Sequence, residues 1–209
     1  AGLKGSGSHE VLAEHVLVPL ERTLSVDELR GKTTQGDQGS ASSTHHFPAF
    51  DMFPHVAASV TLGIAKGAVN AFASETRHRV TSYTTTLMAD HATTQVRLGE
   101  AAAATDTAEL LIRDACRRAS ASENFQGKEA EANRVRLRRD AAYAARLCTH
   151  AVDLLFEASG GRSLYDTEFM QRAFRDAHAV QSHYLLSWDV AAAAGGRSLL
   201  GIPPELPVL

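Results

Sequence analysis

Two histidines five positions apart, His178 and His183, follow an Arg175-Asp176-Ala177 run near the end of the chain. An imidazole titrates close to neutral pH, so either ring could take or give a proton at a reacting atom. On a helix, a five-residue offset puts the two rings on different faces, so they are not expected to act as a pair. Packing or surface solvation is the plain alternative for both. Upstream, Gly160-Gly161 stands just before Ser163. Adjacent glycines let a backbone approach a phosphate closely, although glycine after a helix is also an ordinary stop signal.

Other chemistry-bearing residues carry less. His45 and His46 lie beside Phe47 and Phe50 in a polar stretch, which reads either as a lid over a pocket or as a surface loop. Adjacent histidines chelate one metal poorly, and no His, Cys or Asp spacing suggests zinc, so no metal is expected. His91 and His150 sit in no motif and read as structural. Cys116 and Cys148 fall in different helical stretches without CxxC spacing. Buried, reduced thiols in a cytoplasmic protein are the expectation, not a disulfide.

The elements that must position these groups are mainly helical. The 209 residues are 44% apolar, rich in alanine and poor in aromatics, which favours helices around a substantial core. A formal charge of -3 gives no electrostatic case for nucleic acid or an anionic membrane. No uninterrupted apolar run approaches the ~20 residues that span a bilayer. The chain begins Ala1-Gly2-Leu3-Lys4, without a secretory signal and without methionine, so a missing N-terminal portion is expected. Residues 10–21 contain Val11, His15 and Val18 before Pro19 and predict one or two short strands. Such strands imply a sheet whose other members lie outside this chain. Residues 31–54 read as loop. Beyond them, apolar periodicity predicts four helices, over about 55–88, 90–119, 128–158 and 167–194. Gly160-Gly161 and Gly195-Gly196 would end the third and fourth. The Arg134, Arg136, Arg138, Arg139 run reads as a solvated face. The architecture predicted is a mainly α, antiparallel four-helix bundle.

The order of strand end, loop and four helices resembles the C-terminal part of the acyl-CoA dehydrogenase superfamily. Leu155-Phe156-Glu157-Ala158-Ser159-Gly160-Gly161, followed after a polar turn by Phe174-Arg175-Asp176-Ala177, is similar to the family's paired glycine and spaced Arg-Asp-Ala. Val16-Leu17-Val18-Pro19 resembles the close of its middle β-domain. The resemblance implies that residues 1–30 end that β-domain, that 31–54 form a possible substrate lid, and that 55–209 form the C-terminal bundle. It also implies that Gly160, Gly161 and Ser163 meet the flavin of a neighbouring subunit. Arg79 would add a flavin contact after the first helix. The family's aromatic spacing fails there, because Ser82 holds that position and Tyr83 is shifted by one.

A dehydrogenase of this superfamily needs a carboxylate to remove an α-proton. In many relatives it lies nine residues beyond the arginine of Arg-Asp-Ala, a count that lands here on Tyr184. The alternative site on the first helix has no Asp or Glu between His55 and Phe72. The segment Arg175 to His183 instead resembles two-component, reduced-FMN-dependent (group D) monooxygenases, in which a histidine eight residues after the arginine lies near the flavin's reactive edge. His183 inherits that role by resemblance. The implied protein is a homotetrameric, cytoplasmic oxygenase taking FMNH2 from a separate flavin reductase and hydroxylating an aromatic or polyketide-like substrate. The alternatives are an FAD-dependent acyl-CoA dehydrogenase-like oxidoreductase and a non-catalytic helical interaction module.

Overall fold

The computed structural model describes residues 2–7, 9–25, 49–82, 84–121, 125 and 127–206. Five helices carry the architecture: α1 (Ala49–Thr76), α2 (Ala92–Ser120), α3 (Gly127–Ser159), α4 (Phe169–Gln181) and α5 (Trp188–Leu199). The first four form the up-and-down bundle the periodicity predicts. Ion pairs fix their directions. Arg97 near the start of α2 meets Glu157 near the end of α3, so these helices are antiparallel. Arg134 and Asp51 join the starts of α3 and α1, so those run parallel. His178 of α4 meets Asp153 of α3 while Phe174 stacks on Phe156, an antiparallel pairing.

The core is built on small residues. Ala58, Thr61, Ala65, Ala68 and Phe72 form the inner stripe of α1, and Ala101, Thr105, Ala108, Ile112, Ala115 and Ala119 that of α2. Each stripe repeats at three and four residues, the spacing of one helix face. Helix α3 is the central member. Its buried set from Val135 to Leu155 includes Ala141, Ala144, Ala145, Cys148 and Ala151 and covers more than one face. Buried threonines disturb none of this, because Thr105 and Thr149 donate their hydroxyls to the carbonyls of Ala101 and Ala145.

Several boundaries differ from the sequence expectation. No strand forms among the described residues. Residues 9–19 form no regular element, with His15 at φ +53°, and Leu20–Arg22 make one 3-10 turn. A strand needs neighbours, and the described chain supplies none. Helix α1 begins at Ala49, inside the stretch read as loop; residues 26–48, including His45, His46 and Phe47, lie outside the described residues, as does Tyr83. The same helix stops at Thr76 instead of near 88, because the threonine-rich run that follows favours extended backbone. There Val80 and Leu87 form an antiparallel bridge, and Thr81 N–H donates to the Thr86 carbonyl. By length and composition Phe50–Thr76 is apolar enough to cross a membrane, which a search for uninterrupted runs misses. Its inner stripe lies in the bundle, while Phe53, Val56 and Val60, three and four residues apart, remain exposed.

The predicted fourth helix breaks in two at Ser182–Ser187. The Leu185 N–H turns to the His183 ring instead of a helical carbonyl, and Leu186 plunges into the core at 1% exposure. Gly195-Gly196 does not end α5. Gly195 is buried against the Arg139 stem, where a Cβ would come within 3.2 Å. The helix closes instead at Gly201, φ +72°, with Ile202 N–H donating to Arg197 and Gly201 N–H to Ser198. This is the paired closing pattern that glycine after a helix permits.

Candidate functional site

The third helix stops as expected at Ser159, and Gly160 follows with φ +69° and ψ -167°. That region of backbone space is open essentially to glycine alone. Gly161 is exposed, and no atom lies within 4 Å of where its Cβ would be. The Ser163 side chain turns inward. It is 4% exposed and its hydroxyl donates to the Gly160 carbonyl at 2.6 Å, so it shapes the glycine turn from beneath. Only a four-residue 3-10 turn, Gly161–Leu164, begins here. The long helix whose dipole would favour an anion starts later, at Phe169. The glycine turn therefore offers an open backbone, without a helix dipole behind it.

Arg79 reaches this turn from another part of the chain. It sits three residues past α1, its carbonyl held by Met88 N–H at 2.8 Å. Its Nη1 donates to the Ser159 carbonyl at 2.9 Å and lies 3.7 Å from the Glu75 carboxylate. A guanidinium carries five N–H donors, so donors remain for an anion beside the glycines. The four residues singled out for flavin, Arg79, Gly160, Gly161 and Ser163, thus converge at one end of the bundle.

His183 lies elsewhere. Helix α4 separates it from the glycine turn by 13 residues, about 20 Å at the helical rise. It is not on the helix but caps the 3-10 turn Tyr184–Leu186, where the Leu185 N–H donates to its Nδ1 at 3.1 Å. The position a dehydrogenase would fill with an acid is Tyr184, half-exposed in the same turn.

His178 is better connected than its sequence context suggests. Its Nε2 lies 2.8 Å from Asp153 Oδ1, and its ring packs on Phe174 with centroids 4.4 Å apart. An open groove of about 500 Å³ runs between α3 and α4 past Arg146, His150, Asp153, His178, Gln181 and Ser182. His150 is exposed and paired with Glu100. Nothing in the sequence signalled the role of Asp153, since no motif links it to α4. The acid of the Arg-Asp-Ala run also has a structural partner: Asp176 Oδ1 accepts the Leu3 N–H at 2.7 Å, docking the N-terminal segment so closely that a Cβ on Gly2 would strike the Arg175 carbonyl.

The arginine run on α3 is partly solvated, as read, but it also ties helices together. Arg134 pairs with Asp51, Arg136 with Asp114 and Asp140, and Arg139 with Asp140, tying α3 to α1 and α2 and satisfying a buried carboxylate. Glu129 and Glu131, earlier on the same helix, are exposed. Of the two cysteines, Cys148 is buried, which pushes its thiol up to about 12, whereas Cys116 is exposed, contrary to expectation. Among the described residues, no group of three His, Cys, Asp or Glu is placed to hold a metal.

Comparison with known proteins bears on this geometry. Residues 55–188 match the family described as acyl-CoA dehydrogenase, C-terminal domain. The chain is 33% identical over 213 residues to the oxygenase component of an FADH2-dependent resorcinol hydroxylase from Rhizobium sp. (strain MTP-10005), covering 98% of this chain and 52% of that protein. It is 30% identical over 207 residues to the oxygenase component of p-hydroxyphenylacetate 3-hydroxylase from Acinetobacter baumannii, covering 97% of this chain and 48% of that protein. Its fold superposes on XiaF from Streptomyces sp., solved in complex with FADH2 and glycerol, with a TM-score of 0.86 at 26% identity, over 100% of this chain and 53% of XiaF. The chain spans about half the length of the curated relatives it matches.

Proposed function

The chain belongs to the acyl-CoA dehydrogenase C-terminal domain family, and from that membership we propose that it is the helical half of the oxygenase component of a two-component, flavin-dependent monooxygenase. In this reading it hydroxylates an aromatic or polyketide-like substrate with reduced flavin and O2, the flavin coming from a separate reductase. The observation that carries the reading is the turn at His183–Leu186, which presents an exposed imidazole and Tyr184 where a dehydrogenase would need its carboxylate. The oxygenase components named among its relatives support it.

Reduced flavin, when bound, supplies the electrons for oxygen activation and delivers one oxygen atom to the substrate. The chain's own residues bind, orient and move protons. The bare Gly160-Gly161 backbone and the Arg79 guanidinium suit an anionic part of the flavin; following the family resemblance, that flavin belongs to a neighbouring subunit. His183, about 20 Å away along α4, then serves this subunit's own flavin. Its Nδ1 is occupied by the Leu185 N–H, so the neutral ring carries its proton on Nε2, poised to donate to a reacting oxygen. The exposed Phe53, Val56 and Val60 face of α1 supports burial in a homotetramer. FMNH2 is the expected cofactor, with FADH2, the form named for the resorcinol hydroxylase and XiaF, as its rival. A cytoplasmic setting completes the reading.

The deciding experiment titrates the full-length protein containing this chain with oxidised FMN, oxidised FAD, FMNH2 and FADH2. Marked preference for a reduced flavin, with hydroxylation of a phenol such as resorcinol, supports the oxygenase. Tight oxidised FAD bleached by an acyl-CoA would instead make it a dehydrogenase. Binding of no flavin would leave a helical interaction module.

A further inference from the structure

We propose that Arg138 is a positioning residue for His183, clamping the turn that sets the imidazole's orientation and tautomer. The proposal rests on the oxygenase reading for the use of His183, but the clamp itself is a matter of geometry.

The break between α4 and α5 is held from below and above. Below, Leu186 is sunk in the core. Above, Arg138 reaches from α3 to donate through Nη2 to the Tyr184 carbonyl at 3.1 Å, with its guanidinium 5.7 Å from the centre of the Tyr184 ring. The same carbonyl accepts the Ser187 N–H at 3.2 Å, and the His183 carbonyl accepts the Leu186 N–H at 2.8 Å. The peptide between Tyr184 and Leu185 is thereby held through its carbonyl by two donors, and its N–H is aimed at His183 Nδ1. Once Nδ1 accepts, a neutral imidazole must hold its proton on Nε2. The clamp thus decides which nitrogen can donate.

The remaining α3 contacts show that this arginine is distinct from its neighbours. Arg134, Arg136 and Arg139 each pair with a carboxylate. Among the described residues, Arg138 hydrogen-bonds to the Tyr184 carbonyl and lies over the Tyr184 ring, and its Nε is buried with no hydrogen-bond partner. Burial pushes its guanidinium below the ordinary arginine range. A buried, unpaired N–H is unfavourable, and an arginine serving solubility alone would swing out to water. Further along the break, Tyr143 and Arg146 of α3 pack on Trp188, and Arg139 packs on Gly195. These contacts fasten α5 and leave Arg138 as the one side chain of the set on the His183 turn.

The test uses the full-length protein with Arg138→Met, which keeps the apolar stem, and Arg138→Lys, which keeps the charge but loses the planar fork. Diethyl pyrocarbonate attacks neutral imidazole, and trypsin releases His178 and His183 together in the peptide Asp176–Arg197, so His178 is an internal reference. With the clamp intact, His183 Nδ1 is engaged and Nε2 protonated, so labelling is slow. In Arg138→Met, His183 labelling rises severalfold while His178 is unchanged; Arg138→Lys lies between. With reduced flavin and resorcinol, the same variants lose product to hydrogen peroxide while flavin affinity holds. An unchanged His183 rate in folded variants overturns the proposal, as does an equal rise at His178, which would mean general loosening. Should Arg138→Met not fold, Arg138→Lys alone decides by the same criterion. Faster His183 labelling with product formation unchanged keeps the clamp and removes His183 from the flavin chemistry. A parent protein that forms no product with any reduced flavin removes the oxygenase reading and leaves the clamp to the labelling alone.

Discussion

Arg79 Nη1 donates to the main-chain carbonyl of Ser159 across 2.9 Å, joining the loop after α1 to the last residue of α3. The carbonyl is one of those a helix end leaves without an intrahelical donor. The bond therefore caps α3 and holds a cation beside Gly160-Gly161.

If that cation also meets flavin, Arg79→Met should weaken reduced-flavin binding by the worth of one charge-assisted hydrogen bond, about 10- to 100-fold. Stability should fall as well, by about 1 kcal/mol, since Ser159 is buried and its carbonyl loses a donor. Equilibrium titration of the full-length protein reads the first effect and urea denaturation the second. Unaltered affinity would remove Arg79 from the flavin contacts and leave it a helix cap.

The two glycines should separate by substitution. Gly160→Ala forces a side chain into φ +69° and ψ -167°, at a cost of about 1–3 kcal/mol in unfolding free energy. Gly161→Ala meets no atom within 4 Å and should leave stability within about 0.5 kcal/mol. Gly161→Val should nonetheless weaken flavin binding, because its branches fill the open side of the turn. Normal affinity in Gly161→Val would reduce the glycine pair to a helix stop.

The helices were legible because their signal is periodic, but the buried face was not: Val96 and Leu110, large and apolar, are exposed, while the small Ala101, Thr105, Ala108 and Ala115 are buried. The Gly160 stop was equally local. What escaped the sequence was decided by tertiary contact. Arg136 and Arg139 read as solvated because nothing in the chain shows that Asp140 beside them is buried. The break at His183 lies in a stretch with good helical periodicity, and only the burial of Leu186 and the ring bond to Leu185 N–H pull it open. The likeness in the last helical segment marked His183, yet the turn that aims it was invisible, as were Asp153 and Arg138. Residues 10–21 carry strand-favouring side chains, but pairing belongs to a sheet the described chain does not contain.

Acid should destabilise the fold through His55. The ring is 2% exposed, its Nε2–H donates to the Leu137 carbonyl at 2.9 Å, and its Nδ1 is buried without a partner. Burial lowers its pKa below the usual 6.5, outweighing the bond to Leu137 and the nearby Asp140 charge. The unfolded chain therefore binds a proton near pH 6.5 that the folded chain resists. Stability should be full above that pH and fall as pH drops through it towards the folded-state value, by up to about 1.4 kcal/mol per pH unit from this group. Urea midpoints between pH 8 and pH 5 measure the effect. His55→Leu should flatten that slope, and a slope unchanged in the variant would assign it to other groups.

His183 holds two roles that a pair of variants can divide. Its ring accepts the Leu185 N–H, which a side-chain carbonyl can also do, and its Nε2 places an N–H at the far side of the ring, which the shorter asparagine side chain cannot reach. His183→Asn should therefore keep the turn while hydroxylation in the full-length enzyme falls by about 10²- to 10⁴-fold, the usual worth of a positioned acid or base. Reduced-flavin affinity should hold, because the candidate anion contacts lie at the other end of α4. His183→Ala should lose hydroxylation and loosen the turn as well, seen as faster backbone hydrogen exchange across residues 183–187. Substantial turnover in His183→Asn would show that the imidazole serves only to cap the turn, and the proton donor would have to be sought elsewhere in the full-length protein.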